Sequence, residues 1–261
     1  MSESSRVRPP NPPMERAGST GRSSAARYPD KRKSETVTSV DVVSWTRIQA
    51  AIWACEACRD HNRVACKIRQ QTDAPTCPVK LLLVGIAPPF EKSVEVKTRA
   101  RSATNHAEDN LRKLFIPATL PGSWEDLLTR GLFWVHCVKC AIAVKDGHQN
   151  PPDPVVDVCA SSHFAQEIGL LRPPQVVAFG KAPYRALLRV PGVKAPRGLG
   201  VSTSVANLVE RTRGGVEFQA DGWKFTVHVS PFPLERKRPV PLAQEVLREA
   251  ARLAGVLNAK G

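Results

Sequence analysis

The chain has 261 residues, 42% of them hydrophobic, and its 38 lysines and arginines outnumber 24 acidic residues for a formal net charge of +14. That composition excludes a wholly disordered chain and supplies a core for one large domain or two small ones. No apolar run approaches the ~18 residues of a membrane helix, and the opening MSESSRVRPPNPP lacks the apolar core of a secretory signal, so a cytoplasmic address without a membrane partner is expected.

Residues 1–40 are rich in Pro, Ser and Arg and show no helical or strand period, so they are expected to be a disordered basic tail ahead of one domain over 41–261. After Asp41, the residues Val43, Ile48, Ile52 and Trp53 recur at roughly helical spacing and lead into Cys55 and Cys58. The run VKLLLVG at 79–85 is continuously apolar and closed by glycine, which predicts a fully buried parallel strand. Similar runs follow at 131–138, 174–180 and 223–230, separated by helix-like stretches near 107–116, 153–171, 181–189 and 239–258. Alternation of this kind predicts an α/β fold: a three-layer α/β/α sandwich around a central four-stranded parallel sheet. Ligands of such sheets sit beyond the carboxyl ends of the strands, so strand ends are where chemistry is sought.

The first strand runs into GIAPPFEKS, where Gly85 permits a close backbone approach and the prolines stiffen the turn. This makes a binding wall rather than a phosphate cradle. The second strand ends in HCVKC, which sets His136 and Cys140 where an apolar core should close. The fourth runs into HVSPFPLERKRP, whose His228 and Ser230 share one face of an extended segment ahead of Arg236, Lys237 and Arg238, a cluster suited to a phosphate backbone. The excess positive charge makes nucleic acid the leading partner, with a merely solvated basic surface as the alternative. An odd count of seven cysteines without an export signal argues against a disulfide framework. Four thiolates from the CxxC at 55 and 58, from Cys140 and from Cys159 could enclose one cluster or metal ion. Cys66, Cys77 and Cys137 are left over, and Cys66 or Cys77 could compete as ligands.

Taken in order, CxxC at 55–58, LLLVGIAPP at 81–89, VKC at 138–140, Cys159 opening an amphipathic helix, VVAFGKAPYRALL at 176–188, RG at 197–198 and HVSP at 228–231 resemble the uracil-DNA glycosylase superfamily. The resemblance covers roughly residues 45–257 and is to its iron–sulfur branches, families 4 and 5. It implies a [4Fe-4S] cluster held by Cys55, Cys58, Cys140 and Cys159, with zinc as the alternative occupant. It further implies that Gly85, Ala87 and Pro88 line the pocket of a flipped base, with Phe90 or Phe115 as the candidate aromatic on which the base stacks or else as core, and that His228 donates to the departing base. Ser230 would press on the flanking phosphates. The expected partner is DNA, single- or double-stranded, bound by a monomer.

Three positions depart from the pattern. Ile86 stands where family 4 carries a water-activating carboxylate, which shifts that role to Asp109, with Glu91 behind it, as in family 5. Val229 replaces the proline of HPSP. His136 stands where the family places an asparagine that reads the edge of uracil, and an imidazole cannot present that amide's donor and acceptor side by side. Three functions are therefore expected, in descending order: a DNA glycosylase acting on uracil or another deaminated base, a catalytically silent or altered-specificity DNA-binding member, and a zinc-stabilised protein acting on a small nucleotide.

Overall fold

The apolar run Leu81–Gly85 is buried along its whole length and has a parallel partner on either side, as a strand with two apolar faces must. The computed structural model describes residues 40–69, 72–88, 110–142, 150–235 and 238–257. In chain order these form α1 (Val42–Ala54), β1 (Val64–Arg69), β2 (Leu81–Gly85), a π-helical turn at Leu111–Phe115, α2 (Trp124–Thr129), β3 (Leu132–His136) and β4 (Cys140–Ile142). There follow α3 (Asp153–Cys159), a second π-helical turn at Ala160–Phe164, α4 (Ala165–Leu171), β5 (Gln175–Phe179), α5 (Lys181–Leu187) and α6 (Val205–Arg211). The chain continues through β6 (Val216–Ala220), β7 (Trp223–Ser230), the two-residue strands β8 (Leu234–Glu235) and β9 (Arg238–Pro239), and α7 (Pro241–Leu253).

The main sheet runs β3-β2-β5-β7-β6. Its first four strands are mutually parallel and β6 is antiparallel to β7. Successive side chains on each strand alternate between two cores. Leu82, Val84, Phe133, Val135, Val176, Ala178, Val227 and Val229 join one, with Trp45, Val155, Phe164, Ile168, Tyr184, Leu187 and Leu208 from the helices. Leu81, Leu83, Leu132, Trp134, Val177 and Phe179 join the other, with Phe115, Trp124, Leu127, Val246 and Leu247. Helices thus cover both faces of the sheet, as the strand-helix alternation predicts. Among the described residues no helix is long and apolar enough to cross a membrane.

Several expectations need correcting. The sheet gains a fifth, antiparallel edge strand because Asp221 (φ 31) and Gly222 (φ 80) make a two-residue turn that folds β6 back along β7. The second strand stops at His136 rather than running to 138. Cys140 instead opens β4, which pairs antiparallel with β1 in a separate two-stranded sheet. Helix 153–171 is interrupted by the π-helical turn, so Cys159 closes its first segment instead of opening a helix. On α1, Val43 is 62% exposed and Trp53 is 39% exposed, whereas Trp45 and Gln49 take the inward positions. Of the stretch near 107–116 only the end is described, and α2 and α6 are too short to betray a helical period. The 1–40 tail lies outside the described residues apart from Val40.

Gly131 sets the register between β2 and β3. Its carbonyl accepts from the Lys80 and Leu81 amides at 2.8 and 3.0 Å. Its φ is +95°, and an added Cβ would stand 2.7 Å from the Pro78 carbonyl oxygen. Gly131→Ala is therefore expected to lower the unfolding free energy by more than about 1 kcal/mol, read by urea denaturation.

Candidate functional site

Three separated segments bring four cysteines to one place. Cys55 caps the end of α1, Cys58 follows in the next turn, Cys140 opens β4 and Cys159 closes α3. All four line a single cavity of about 360 Å³, counting the part open to solvent, together with Ile52, Val138, Lys139, Val155 and His163. Cys140 and Cys159 are buried, and Cys55 and Cys58 are half-buried. Burial pushes the Cys159 thiol up to about 12, against the opposing pull of Lys139 and its backbone N–H, with Cys137 and Cys58 adding to the rise. A thiol so placed ionises readily only against a strong cationic partner such as a metal. The donor set, four thiols and no hard oxygen ligand among the groups named, suits an iron–sulfur cluster or zinc. No three His, Cys, Asp or Glu side chains among the described residues are gathered tightly enough to hold one ion. Cys77 and Cys137 lie outside the cavity lining: their thiols donate to the Leu128 and Ile86 carbonyls at 3.2 and 3.1 Å. The side chain of Cys66 lies outside the described residues.

Two features tie this cage together. Arg69, whose backbone pairs with Cys140, donates its guanidinium to the Trp53 and Cys55 carbonyls at the end of α1. Those carbonyls have no partner within the helix, so a fork of donors is the natural closure. Behind the cage, the Lys139 ammonium donates to the Glu167 carboxylate and to the His136 carbonyl, with both ion-pair side chains only 2% exposed. Gln49 of α1 donates to the other oxygen of Glu167 at 3.3 Å and accepts from the Thr72 amide at 3.1 Å. Burial pushes the Glu167 carboxyl up, and Lys139 followed by Gln49 pulls it back. The Lys139 amide donates to the Cys159 sulfur at 3.2 Å. One residue thus joins the cage to the end of β3.

At that end, Gly85 and His136 are register partners on β2 and β3. A Cβ on Gly85 would lie 2.3 Å from Trp134 and 2.9 Å from His136, so the missing side chain is what lets both rings lie over the strand. Trp134 meets His136 edge to face, with centroids 5.3 Å apart, and reaches across to Phe179 of β5 at 5.7 Å. Phe115 closes on Phe179 at 6.1 Å. Burial, helped by Lys139, pushes His136 down to about 3, so its ring is neutral. The Trp134 indole N–H is buried and has no hydrogen-bond partner among the described residues. Past the strand, Cys137 and Val138 amides donate to the Gly85 and Ile86 carbonyls at 2.9 and 3.0 Å. Ala87 and Pro88 are buried beside them, and half-buried Ile86 packs on the first core.

His228 and Ser230 do not join His136. They stand three strands away, about 14 Å at ordinary strand spacing. His228 is fully buried at the level of Val177, and its Nε2 donates to Gln175 Oε1 at 3.0 Å, near the amino end of β5. Burial lowers its proton affinity against weaker opposition from the Arg213 backbone and Glu249. Ser230 is also buried, and its hydroxyl donates to the Pro231 carbonyl at 2.9 Å. Phe90, Glu91, Asp109, Arg236 and Lys237 lie outside the described residues, whereas Arg238 is exposed on β9.

The site also contains groups that spacing alone did not single out as partners: Gln49, Arg69, Trp134, His163 and Glu167. Of these only His163 leaves a sequence trace, one helical turn beyond Cys159. Comparison of the chain with protein-family models finds no match, and no curated protein gives a significant match.

Removing one partner of a buried ion pair strands the other charge. Glu167→Leu is therefore expected to destabilise the protein by about 3–5 kcal/mol, and Lys139→Met with Glu167→Leu to recover most of that loss, in a double-mutant cycle by urea denaturation.

Proposed function

We propose that the chain is a DNA N-glycosylase of the iron–sulfur uracil-DNA glycosylase kind, with the sandwich fold of that superfamily, acting on a deaminated base turned out of the helix. The observation that carries this reading is the convergence of Cys55, Cys58, Cys140 and Cys159 on one cavity next to the strand end that holds Gly85 and His136. Bound there, a [4Fe-4S] cluster would cross-link the end of α1 to β4 and α3. Its role would be structural, keeping Lys139 and the end of β3 in place.

Breaking an N-glycosidic bond develops positive charge on the sugar and negative charge on the departing base, so the pocket needs neutral donors in a dry setting. The neutral ring of His136 and the indole N–H of Trp134, above Gly85 and amid Phe179, have that character. The imidazole supplies one donor and one acceptor on opposite sides, which suits a base other than uracil better than the amide it replaces. Phe232 is 54% exposed between two prolines just past β7, at the carboxyl edge of the sheet. An apolar side chain so placed can wedge into a base step and hold open the gap left by a flipped nucleotide.

A second reading, a DNA-binding member that does not excise, draws on two observations. Ile86 offers no carboxylate after Gly85, and the buried His228 is engaged by Gln175 at the amino end of β5. Water activation in the first reading then rests on Asp109, with Glu91 behind it.

Purified protein with an intact cluster, incubated with duplexes carrying uracil, hypoxanthine or xanthine, should yield an abasic product from at least one. His136→Asn should shift preference toward uracil. Salt-sensitive DNA binding with no product from any substrate would instead favour the silent member. Phe232→Ala should lower excision from duplex DNA on the order of tenfold, a loss of ~1.4 kcal/mol, while leaving single-stranded substrate nearly unaffected, measured by single-turnover kinetics.

A further inference from the structure

The cysteine cavity is lined by one polar side chain that the protein leaves unsatisfied. His163 is 7% exposed, it lines the same cavity as Cys55, Cys58, Cys140 and Cys159, and neither of its ring nitrogens has a hydrogen-bond partner among the described residues. Buried polar groups are almost always paired, and leaving one unmade costs on the order of 1–3 kcal/mol. Neither the reaction nor the packing proposed above uses this ring. A phenylalanine would fill the space without that cost.

The backbone is also arranged for it. His163 falls in the π-helical turn Ala160–Phe164 that begins directly after Cys159. The extra residue in such a turn displaces the following side chains around the helix, and π-helical turns of this kind concentrate at functional sites. Its neighbour Ser161 takes the outer side, donating to the Asp157 and Val158 carbonyls at 3.0 and 3.2 Å. One sulfur here already accepts a hydrogen bond: the Lys139 amide donates to Cys159 at 3.2 Å. A neutral imidazole brings one N–H donor, the type of partner a metal-bound sulfur takes.

We propose that His163 is a positioning residue of the iron–sulfur centre: its ring N–H donates to a sulfur of the cluster held by Cys55, Cys58, Cys140 and Cys159 and thereby raises the reduction potential. This rests on the cluster reading above. Hydrogen bonds to cluster sulfurs withdraw negative charge from the centre and favour its reduced form. That bond would engage one of the two ring nitrogens that have no partner among the described residues.

The test uses the full chain, purified anaerobically, with ¹⁵N-labelled histidine, alongside His163→Phe and His163→Asn. Iron and acid-labile sulfide per chain establish loading, and a reductive titration followed by electron paramagnetic resonance gives the midpoint potential. Pulsed resonance reads the coupling of ring nitrogen to the reduced cluster. The expected result is equal loading, a lower midpoint potential in His163→Phe, partial recovery in His163→Asn, and a weak nitrogen coupling in the parent that His163→Phe loses. An unchanged potential in a fully loaded His163→Phe would overturn the proposal while leaving the cluster reading standing. So would a loaded parent with no ring-nitrogen coupling, or one with the strong coupling of a directly bonded nitrogen, which would make His163 a ligand. A parent chain that carries zinc and no sulfide would overturn both readings together.

Discussion

The buried pair of Lys139 and Glu167 is the constraint on which the rest of the site depends. Placing two charges where both side chains are only 2% exposed is costly, and the cost is offset only if every remaining donor and acceptor is engaged. That requirement draws in Gln49 from α1, the His136 carbonyl from the end of β3, and α4 through Glu167 itself. The Phe164 ring, 5.8 Å from the ammonium, closes the remaining side. Because Lys139 lies between His136 and Cys140, satisfying its charge fixes the path of the chain from the sheet into the cysteine cage. The segments that carry the four cysteines are therefore gathered by a polar network rather than by apolar contact alone.

On the other side of His136 the constraint is steric. Gly85 leaves a gap in an otherwise closed apolar surface, and Trp134 and His136 fill it from the neighbouring strand while Phe179 meets Trp134 from the far side. Polar atoms end up in a dry, aromatic setting at the carboxyl edge of the sheet. The same strand end thus meets two environments: a buried, neutral aromatic layer above Gly85 and a sulfur-lined cavity beyond Lys139. Coupling between them would pass through the Lys139 side chain and its amide, which contact both.

Much of the framework is legible from the chain alone because continuous apolar runs and period-two alternation are local properties. LLLVG, LFWVH, QVVAF and WKFTVHVS each occupy a parallel strand, and the CxxC stands at the end of a helix as its spacing suggests. The antiparallel edge was readable in principle, since Asp221-Gly222 between Ala220 and Trp223 is a two-residue hairpin signal. The inward face of α1 was not. Gln49 is polar, and nothing local distinguishes it from a solvated glutamine until Glu167, 118 residues away, supplies its partner. His228 shows the same limit in reverse: its position at the end of a strand marks it for the carboxyl edge, but its ring bonds to Gln175 at the amino end of β5.

What the chain settled unaided is the kind of object: a basic α/β protein with parallel strands, cysteines in a pattern suited to a soft metal centre, and a histidine where a strand should close. These follow from composition, periodicity and spacing, each of which acts over a few residues. Tertiary structure alone decided which cysteines face one cavity, that Arg69 clamps the turn carrying Cys55, that Trp134 lies over Gly85, and that His163 is buried with no partner among the described residues. The physical reason is that hydrogen-bond satisfaction and steric exclusion are settled between segments far apart in sequence. Whether a buried polar group is paired or stranded becomes visible only when those segments meet.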